Sequence, residues 1–336
     1  NRDALRLQSP EGRTLKKVRD SLDADFGFNL HDQSTYYNAE RTEKPATISY
    51  LAPAYNYEKE INEVRANAMK VIVFMNDIIQ KYAPGQVGRY NDDFEPRAFG
   101  DNIQKWGTSA ILIESGGYPE DIEKQEIRKL NYVSILSAIY TIANKSYEDI
   151  PIERYEEIPE NDRKLFDLKI ANATYNLLGK EYILDVAANR LEVDKEKHND
   201  FWYSSRILEQ GDLSTYYGYE TLDATGLKIV AGKVYTETLS SMDQLKSLDL
   251  EKVLESGYTY VRVKDIPKEK LSSPVPIHII GDKTKLPDFR MEIGVNPTFL
   301  LKKGNEIKYV VINGFLIDLA NYKETSQKVK NAMIYR

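Results

Sequence analysis

The chain of 336 residues contains no cysteine and only three histidines. Without cysteine it can form no disulfide bond, no thiolate metal site and no cysteine nucleophile. Long apolar runs are also missing, because none approaches the ~18 residues that a membrane-spanning helix needs. No secretory signal peptide is recognisable at the start of the sequence. Because there are only three histidines, any chemistry that depends on histidine has few possible positions.

An excess of one sign of charge is missing as well. The 46 basic and 52 acidic residues give a net charge of -6. They are spread evenly, with 19 basic and 23 acidic residues in 1–150 and 27 and 29 in 151–336. We therefore expect no basic face and no nucleic-acid partner. The length suits about two domains of roughly 150 residues each.

Residues 1–147 alternate between helical and strand patterns. Ser9-Pro10-Glu11 predicts a helix start, because a hydroxyl cap precedes a proline and an acid in the first turn. The run 108–113 is almost entirely apolar, which is typical of a strand buried on both faces. The predicted elements are strands at 26–31, 47–51 and 108–113 and long helices at about 57–82 and 121–143.

The remaining chain has a different pattern. The stretch 148–163 is acidic and punctuated by proline, and we interpret it as a linker. From 164 to 336, short strands alternate with turn signals such as Asn313-Gly314, which predicts a β-rich domain of sandwich-like or barrel-like form. His278 falls within one of these strands, where alternation predicts that it lies on the outer face in a structural role. His198 is predicted to lie on the surface.

Two chemically capable side chains follow predicted strands. Glu114 ends the apolar run 108–113, and His31 ends the strand at 26–31, with Asp32 and Gln33 next to it as candidates to orient its ring. Ligands of open α/β sheets bind at the carboxyl ends of strands. This pattern suits a zinc hydrolase with His31 as ligand and Glu114 as general base. The alternative is structural, with His31 bonded to the backbone and Glu114 capping the next helix.

Three short motifs carry a resemblance to a known family. The motifs are Asn1-Arg2-Asp3, then Phe28-Asn29-Leu30-His31-Asp32-Gln33, then Ala110-Ile111-Leu112-Ile113-Glu114. Together they resemble the C-terminal half of zinc carboxypeptidases of the M14 (carboxypeptidase A-like) type, over about residues 1–147.

The resemblance implies a role for each matching residue. Asn1 and Arg2 would hold the terminal carboxylate of the substrate, and His31 would be one ligand of a single Zn²⁺ ion. Glu114 would be the general base. Tyr90, which lies 24 residues before Glu114, would close over the substrate. The family's His-x-x-Glu zinc motif is absent from these 336 residues, so the remaining ligands are expected upstream of Asn1.

The implied fold is an α/β mixed-sheet zinc-carboxypeptidase-like domain, of which only the C-terminal portion is present, followed by the β-rich accessory domain at 164–336. The implied function is a zinc-dependent peptidase that hydrolyses a C-terminal peptide bond or a cell-wall peptide amide bond. Family habit favours export to the periplasm or the exterior. The alternative is a non-catalytic protein that binds peptide or glycan on a degenerate peptidase scaffold, which chelators would leave unaffected.

Overall fold

The computed structural model describes residues 2–194, 201–268, 272–286, 289–330 and 332–335. It divides into two compact units, Asn1–Leu165 and Phe166–Arg336. Asn1 and His198 lie outside the described residues. The stretch 148–163, interpreted above as a linker, is part of the first unit. Tyr155 anchors it there, since its buried hydroxyl accepts a hydrogen bond from the Ala52 amide at 3.0 Å.

The first unit contains four α-helices among its described residues and one mixed sheet. The helices are α1 (Pro10–Leu22), α2 (Glu63–Ile79), α3 (Phe99–Lys105) and α4 (Gln125–Ala143), with a 3₁₀ helix at Ile152–Tyr155. The strands are β1 (Phe26–Asp32), β2 (Asn38–Ala39), β3 (Ile48–Leu51), β4 (Val87–Arg89), β5 (Ser109–Ser115) and β6 (Asn161–Asp162).

The main sheet has the strand order β1-β5-β3-β4. β5 lies parallel to β1 and antiparallel to β3, and β3 lies parallel to β4. β2 and β6 form a separate antiparallel pair. As a result, the carboxyl ends of β1 and β5 meet at one edge, beside the start of β3.

The two faces of this sheet differ in character. Tyr50 of β3 and Ile111 and Ile113 of β5 are buried in one apolar core with residues of α2 and α4. The Tyr50 hydroxyl is bonded to Ser134 of α4 at 2.5 Å. Side chains alternate across a strand. The intervening residues of these strands therefore point to the opposite face, which is where the polar groups collect.

The cap predicted for the first helix is confirmed, because the Ser9 hydroxyl accepts a hydrogen bond from the Gly12 amide at 3.0 Å. The predicted start of α2 is too early. Lys59 has φ of 56°, a left-handed conformation that a helix cannot contain. The helix begins at Glu63, after the Asn62 side chain accepts a hydrogen bond from the Arg65 amide.

The start of α4 is shifted for a similar reason. Lys124 has φ of 50°, so the helix begins at Gln125 rather than at Asp121. Asp121 still caps the start of the helix, because its carboxylate accepts hydrogen bonds from the amides of Gln125 at 2.7 Å and Ile127 at 3.0 Å. A negative side chain at this end also complements the helix dipole.

The second unit is built mainly from strands. The strands are β7 (Leu165–Leu177), β8 (Lys180–Asp194), β9 (Phe201–Gly211), β10 (Tyr217–Asp223), β11 (Lys228–Val230), β12 (Lys233–Ser241), β13 (Tyr258–Asp265), β14 (Ser272–Ser273), β15 (His278–Gly281), β16 (Phe299–Lys303), β17 (Glu306–Ile312), β18 (Phe315–Asp318) and β19 (Ala332–Tyr335). The helices are α5 (Leu250–Glu255) and α6 (Tyr322–Thr325), with 3₁₀ turns at Met242–Ser247, Leu319–Asn321 and Ser326–Lys328.

These strands form two sheets. One has the order β18-β17-β16-β11-β7-β8-β9, with β10 on β7, and the other has the order β12-β13-β15-β19-β14. Within the described residues neither sheet closes into a barrel. The turn predicted at Asn313-Gly314 is confirmed, since both residues have positive φ and Ile312 pairs with Phe315 across a two-residue hairpin. No helix in the described ranges is long and apolar enough to cross a membrane.

Candidate active site

The candidate site begins with His31 and Glu114, which pair in register at the ends of β1 and β5. Residues in register on parallel strands project to the same face, so both side chains lie on the polar face of the sheet. Both are half-buried. Burial, and secondarily the nearby charge of Asp32, raises the pKa of Glu114 to about 7. Glu114 can therefore gain or lose a proton near neutral pH.

The side chains beside His31 do not orient its ring as expected. Asp32 forms an ion pair with Lys124 at 3.2 Å, and the Gln33 amide turns toward β3. Within the described part of the chain the His31 ring has no hydrogen-bond partner, and the start of α4 is capped by Asp121 rather than by Glu114. Neither structural role that the sequence allowed for His31 and Glu114 is observed.

A network of hydrogen-bonded polar side chains lies next to Glu114. Ser49 of β3 pairs with Glu114 across the sheet. Its hydroxyl accepts hydrogen bonds from Gln33 at 3.0 Å and from Asn161 at 3.2 Å. Asn161 also donates to the Gln33 side-chain oxygen at 2.9 Å. Because these side chains form hydrogen bonds with one another, the network holds this side of the site in place without the penalty of unpaired buried polar groups.

Tyr90 lies directly after β4, with its amide bonded to the Tyr50 carbonyl at 2.9 Å. Its ring centroid is 6.0 Å from that of Tyr37. Burial, followed by the neighbouring Tyr37 and the negative charge of Glu114, raises the pKa of Tyr90 to about 12. On the sheet, only β3 separates β4, which Tyr90 follows, from β5, which carries Glu114.

The segment that follows Tyr90 is held by ion pairs. Asp92 accepts hydrogen bonds from Arg65 at 2.7 Å and from Lys59 at 2.9 Å. Arg65 is buried and also donates to the Ala52 carbonyl at 3.2 Å. The position of Tyr90 is therefore fixed from both directions along the chain.

Arg2 lies near the segment that precedes α3, where it pairs with Glu95. Its guanidinium lies 3.7 Å from the Glu95 carboxylate, which also binds Arg97 at 2.7 Å. Glu95 precedes α3, and Gly100 of α3 is so close to Asn29 that an added Cβ would lie 3.0 Å from the Asn29 amide nitrogen. Since Asn29 shares the face of β1 with His31, α3 lies over the polar face of the sheet.

The donors at this edge do not complete the predicted zinc site. A catalytic zinc ion takes three protein ligands and keeps a fourth position for water or substrate. No three histidine, cysteine, aspartate or glutamate side chains converge on one point among the residues that the structure describes. His31 and Glu114 alone do not fit the ion, and further ligands upstream of Asn1 stay a prediction.

Sequence reasoning gave no role in the site to Tyr37, Ser49 or Asn161. Ser49 pairs with Glu114, Asn161 is hydrogen-bonded to Ser49, and Tyr37 packs on Tyr90. The pairing of β3 with β5 and of β2 with β6 brings these separate segments together. No periodicity in the sequence marks such positions. The Tyr36-Tyr37 doublet is the one local signal, and doublets of tyrosine usually reflect packing.

Comparisons with known proteins do not assign the chain to a family. No protein-family model matches it, and no curated protein matches it. One solved structure to which it shows similarity is an N-acyl-D-glutamate deacylase from Bordetella bronchiseptica, complexed with zinc and a phosphonate inhibitor that mimics the tetrahedral intermediate. The match has 19% identity and a TM-score of 0.20 and covers 30% of this chain and 19% of that chain. A likeness this weak supports no conclusion about the activity of this chain.

The resemblance to M14 zinc carboxypeptidases is therefore wrong as a family assignment. No family model and no curated protein supports it, and the described residues contain no group of side chains that could hold the zinc ion of that family. The motifs on which it rested are three to six residues long, and such short strings recur by chance in unrelated chains. The roles of His31, Glu114 and Tyr90 now rest on the geometry described above.

Proposed function

We propose that the first unit carries a hydrolytic active site for an amide bond of a peptide-like substrate, with Glu114 as the general base. The observation that carries this proposal is the in-register pairing of His31 and Glu114 at the carboxyl ends of parallel strands. In α/β sheets this edge is where substrates bind. A half-buried carboxylate in such a position is a candidate for proton transfer.

Each step is assigned to side chains of this chain. The ionised Glu114 carboxylate removes a proton from a water molecule as its oxygen attacks the carbonyl carbon of the substrate. The protonated Glu114 then donates that proton to the departing amine, so that one water yields one acid and one amine. A pKa of about 7 suits both directions of transfer at neutral pH.

The tyrosine pair and His31 supply the electrostatic part of the site. Tyr90 packs beside Tyr37, and its pKa of about 12 means that its hydroxyl keeps its proton at neutral pH. This hydroxyl donates to the oxygen of the substrate carbonyl as negative charge develops there. A preorganised donor of this kind contributes about 3 kcal/mol of transition-state stabilisation. The His31 ring, which has no hydrogen-bond partner among the described residues, offers a second donor from the neighbouring strand.

The test is hydrolysis of a library of short synthetic peptides with blocked and free ends, followed by mass spectrometry. We expect cleavage by the wild-type chain to fall by at least ~10²-fold in Glu114→Gln, because removing a general base costs about that factor or more. The matched control is Glu126→Gln, which changes an exposed glutamate in the first turn of α4. Its rate should equal that of the wild-type protein.

The dependence of the rate on pH distinguishes a base from a merely structural residue. The wild-type rate should rise with pH through an apparent pKa of about 7, and this limb should be missing in the residual activity of Glu114→Gln. Full activity of Glu114→Gln would refute the assignment. Peptides that bind without being cleaved would replace it with the non-catalytic binding function.

A further inference from the structure

The second unit contains a cavity of about 820 Å³, one wall of which includes Phe289 at the edge of a hydrophobic core. Its walls come from β9, β13, β19 and the segment that precedes β16. Aromatic and cationic side chains line it together, including Arg206, Tyr260, Phe289, Arg290 and Tyr335. This mixture is typical of a site for a small ligand rather than of a packing defect, which would be apolar.

One wall of the cavity is held rigid by a buried polar chain. The Thr298 hydroxyl donates to the Asn296 side-chain oxygen at 2.8 Å and lies 2.6 Å from His278 Nε2. Because that hydroxyl has a single proton, His278 Nε2 is the donor in its contact with Thr298. Asn296 in turn donates to Asn313 at 2.7 Å. The position of Asn296 on the cavity wall is thus set before any ligand binds.

The aromatic surface is fixed by the same histidine, which is fully buried between its neighbours and not on the outer face where alternation placed it. The Tyr260 ring stacks on His278 with a centroid separation of 5.2 Å, and Tyr335 meets His278 edge-on at 5.3 Å. Among the described residues neither tyrosine hydroxyl has a hydrogen-bond partner. Burial raises the pKa of Tyr260 to about 12, so its hydroxyl keeps its proton. Two hydroxyl groups are therefore present as donors beside flat apolar rings.

The positive charge in this cavity is poorly neutralised. Arg206 is exposed and takes part in no ion pair within the described ranges. Arg290 has one long contact of 3.8 Å with Glu292, and its side chain is 63% exposed. Guanidinium groups bind carboxylate and phosphoryl oxygens through paired hydrogen bonds. Both arginines are able to turn toward an anion without breaking a strong ion pair.

We propose that this cavity binds a small organic anion, with its acidic group at Arg206 and Arg290 and its flat apolar part against Tyr260, Phe289 and Tyr335. The acidic group is a carboxylate or a phosphoryl group. This binding site is independent of the hydrolytic site proposed for the first unit, because every lining residue belongs to the second.

The test is titration of the full chain with benzoate, phenyl phosphate and the neutral benzamide, followed by ligand-detected NMR. We expect the anions to bind with a Kd of about 1 mM, a reasonable affinity for so few atoms. The double variant Arg206→Gln/Arg290→Gln should weaken their binding by about tenfold or more, equivalent to about 1.4 kcal/mol. The control Arg128→Gln changes an exposed arginine of α4 and should leave binding unchanged.

A second variant tests the contribution of the Tyr260 hydroxyl separately from that of the two arginines. Tyr260→Phe keeps the ring and removes the hydroxyl, so we expect a several-fold loss for the anions. The better of benzoate and phenyl phosphate identifies the acidic group. The proposal is overturned if neither anion binds at about 10 mM, if benzamide binds as tightly as benzoate, or if the double variant binds like the wild-type protein. Circular dichroism of each variant confirms that it is folded.

Discussion

Glu114 and His31 are direct neighbours across β5 and β1, although 83 positions separate them in the sequence. The parallel pairing of two strands places an acid of raised pKa and an imidazole ring in register on the same face of the sheet. The protonation of Glu114 can therefore be tested as well as its position.

The first prediction concerns the stability of the first unit at different pH values. The folded-state pKa of Glu114 is about 7 against an ordinary value of 4.5, so the folded protein binds this proton more tightly than the unfolded chain. Stability is therefore lost as pH rises from about 4.5 to about 7, when Glu114 must ionise in a half-buried position. We expect Glu114→Gln to increase the free energy of unfolding at pH 8 by about 1 to 2 kcal/mol, after allowance for partial exposure.

The measurement is urea unfolding at pH 4 and pH 8, followed by the fluorescence of Trp106 in a Trp202→Phe background. Trp106 lies in the first unit and Trp202 in the second. The gain should be small at pH 4, where the wild-type side chain is largely protonated. An equal effect at both pH values would show that ionisation of Glu114 is not responsible.

The second prediction concerns the ion pair that anchors the segment after Tyr90. The Arg65 side chain is only 3% exposed and binds Asp92 at 2.7 Å. Arg65→Gln leaves Asp92 partly buried without its main partner and removes the hydrogen bond to the Ala52 carbonyl. Since breaking a buried ion pair from one side is costly, we expect a loss of about 3 kcal/mol in the free energy of unfolding.

Lys59→Gln is the matched control, because Lys59 contacts the same carboxylate from a side chain that is 40% exposed. We expect this variant to lose less than about 1 kcal/mol in urea unfolding. Similar losses in both variants would show that burial of the cation does not decide how strongly each ion pair stabilises the fold. The Arg65 variant should also show faster proteolysis near Tyr90, since one anchor of that segment is gone.

The third prediction concerns the close approach between the segment that precedes β3 and the residue that follows β5. An added Cβ at Gly116 would lie 2.2 Å from the Ala46 carbonyl oxygen. The absence of a side chain at Gly116 therefore permits the close approach of the chain just after Glu114. Because the obstructing atom belongs to the backbone, Gly116→Ala must separate the two segments, and we expect a loss of about 3 kcal/mol.

Gly27→Ala on β1 is the corresponding control. Its added Cβ would meet only the Thr108 methyl group, at 3.3 Å, which a side-chain movement can relieve. Thermal unfolding should show a clear decrease in Tm for Gly116→Ala and a small change for Gly27→Ala. Equal midpoints would show that the backbone near Ala46 yields more easily than the structure indicates.

The local features of the fold follow from short stretches of the sequence. The Ser9 cap, the buried strand that ends near Glu114 and the hairpin at Asn313-Gly314 were all predictable, since each depends on residues that are close in the chain. The starts of α2 and α4 were not, because the left-handed turns at Lys59 and Lys124 leave no mark in hydrophobic periodicity.

Which of these features act together depends on the tertiary structure. The sequence pattern indicated Glu114 and His31 separately, and Tyr90 was indicated only by the family resemblance. The order of strands is what places Glu114 in register with His31 and puts Tyr90 one strand beyond β3. The cavity near Tyr260 had no signal at all, because its walls come from segments more than one hundred residues apart. Short-range patterns fix helices and strands through backbone preference and amphipathicity. Sites depend on contacts between distant residues, and only the packing of the whole sheet specifies them.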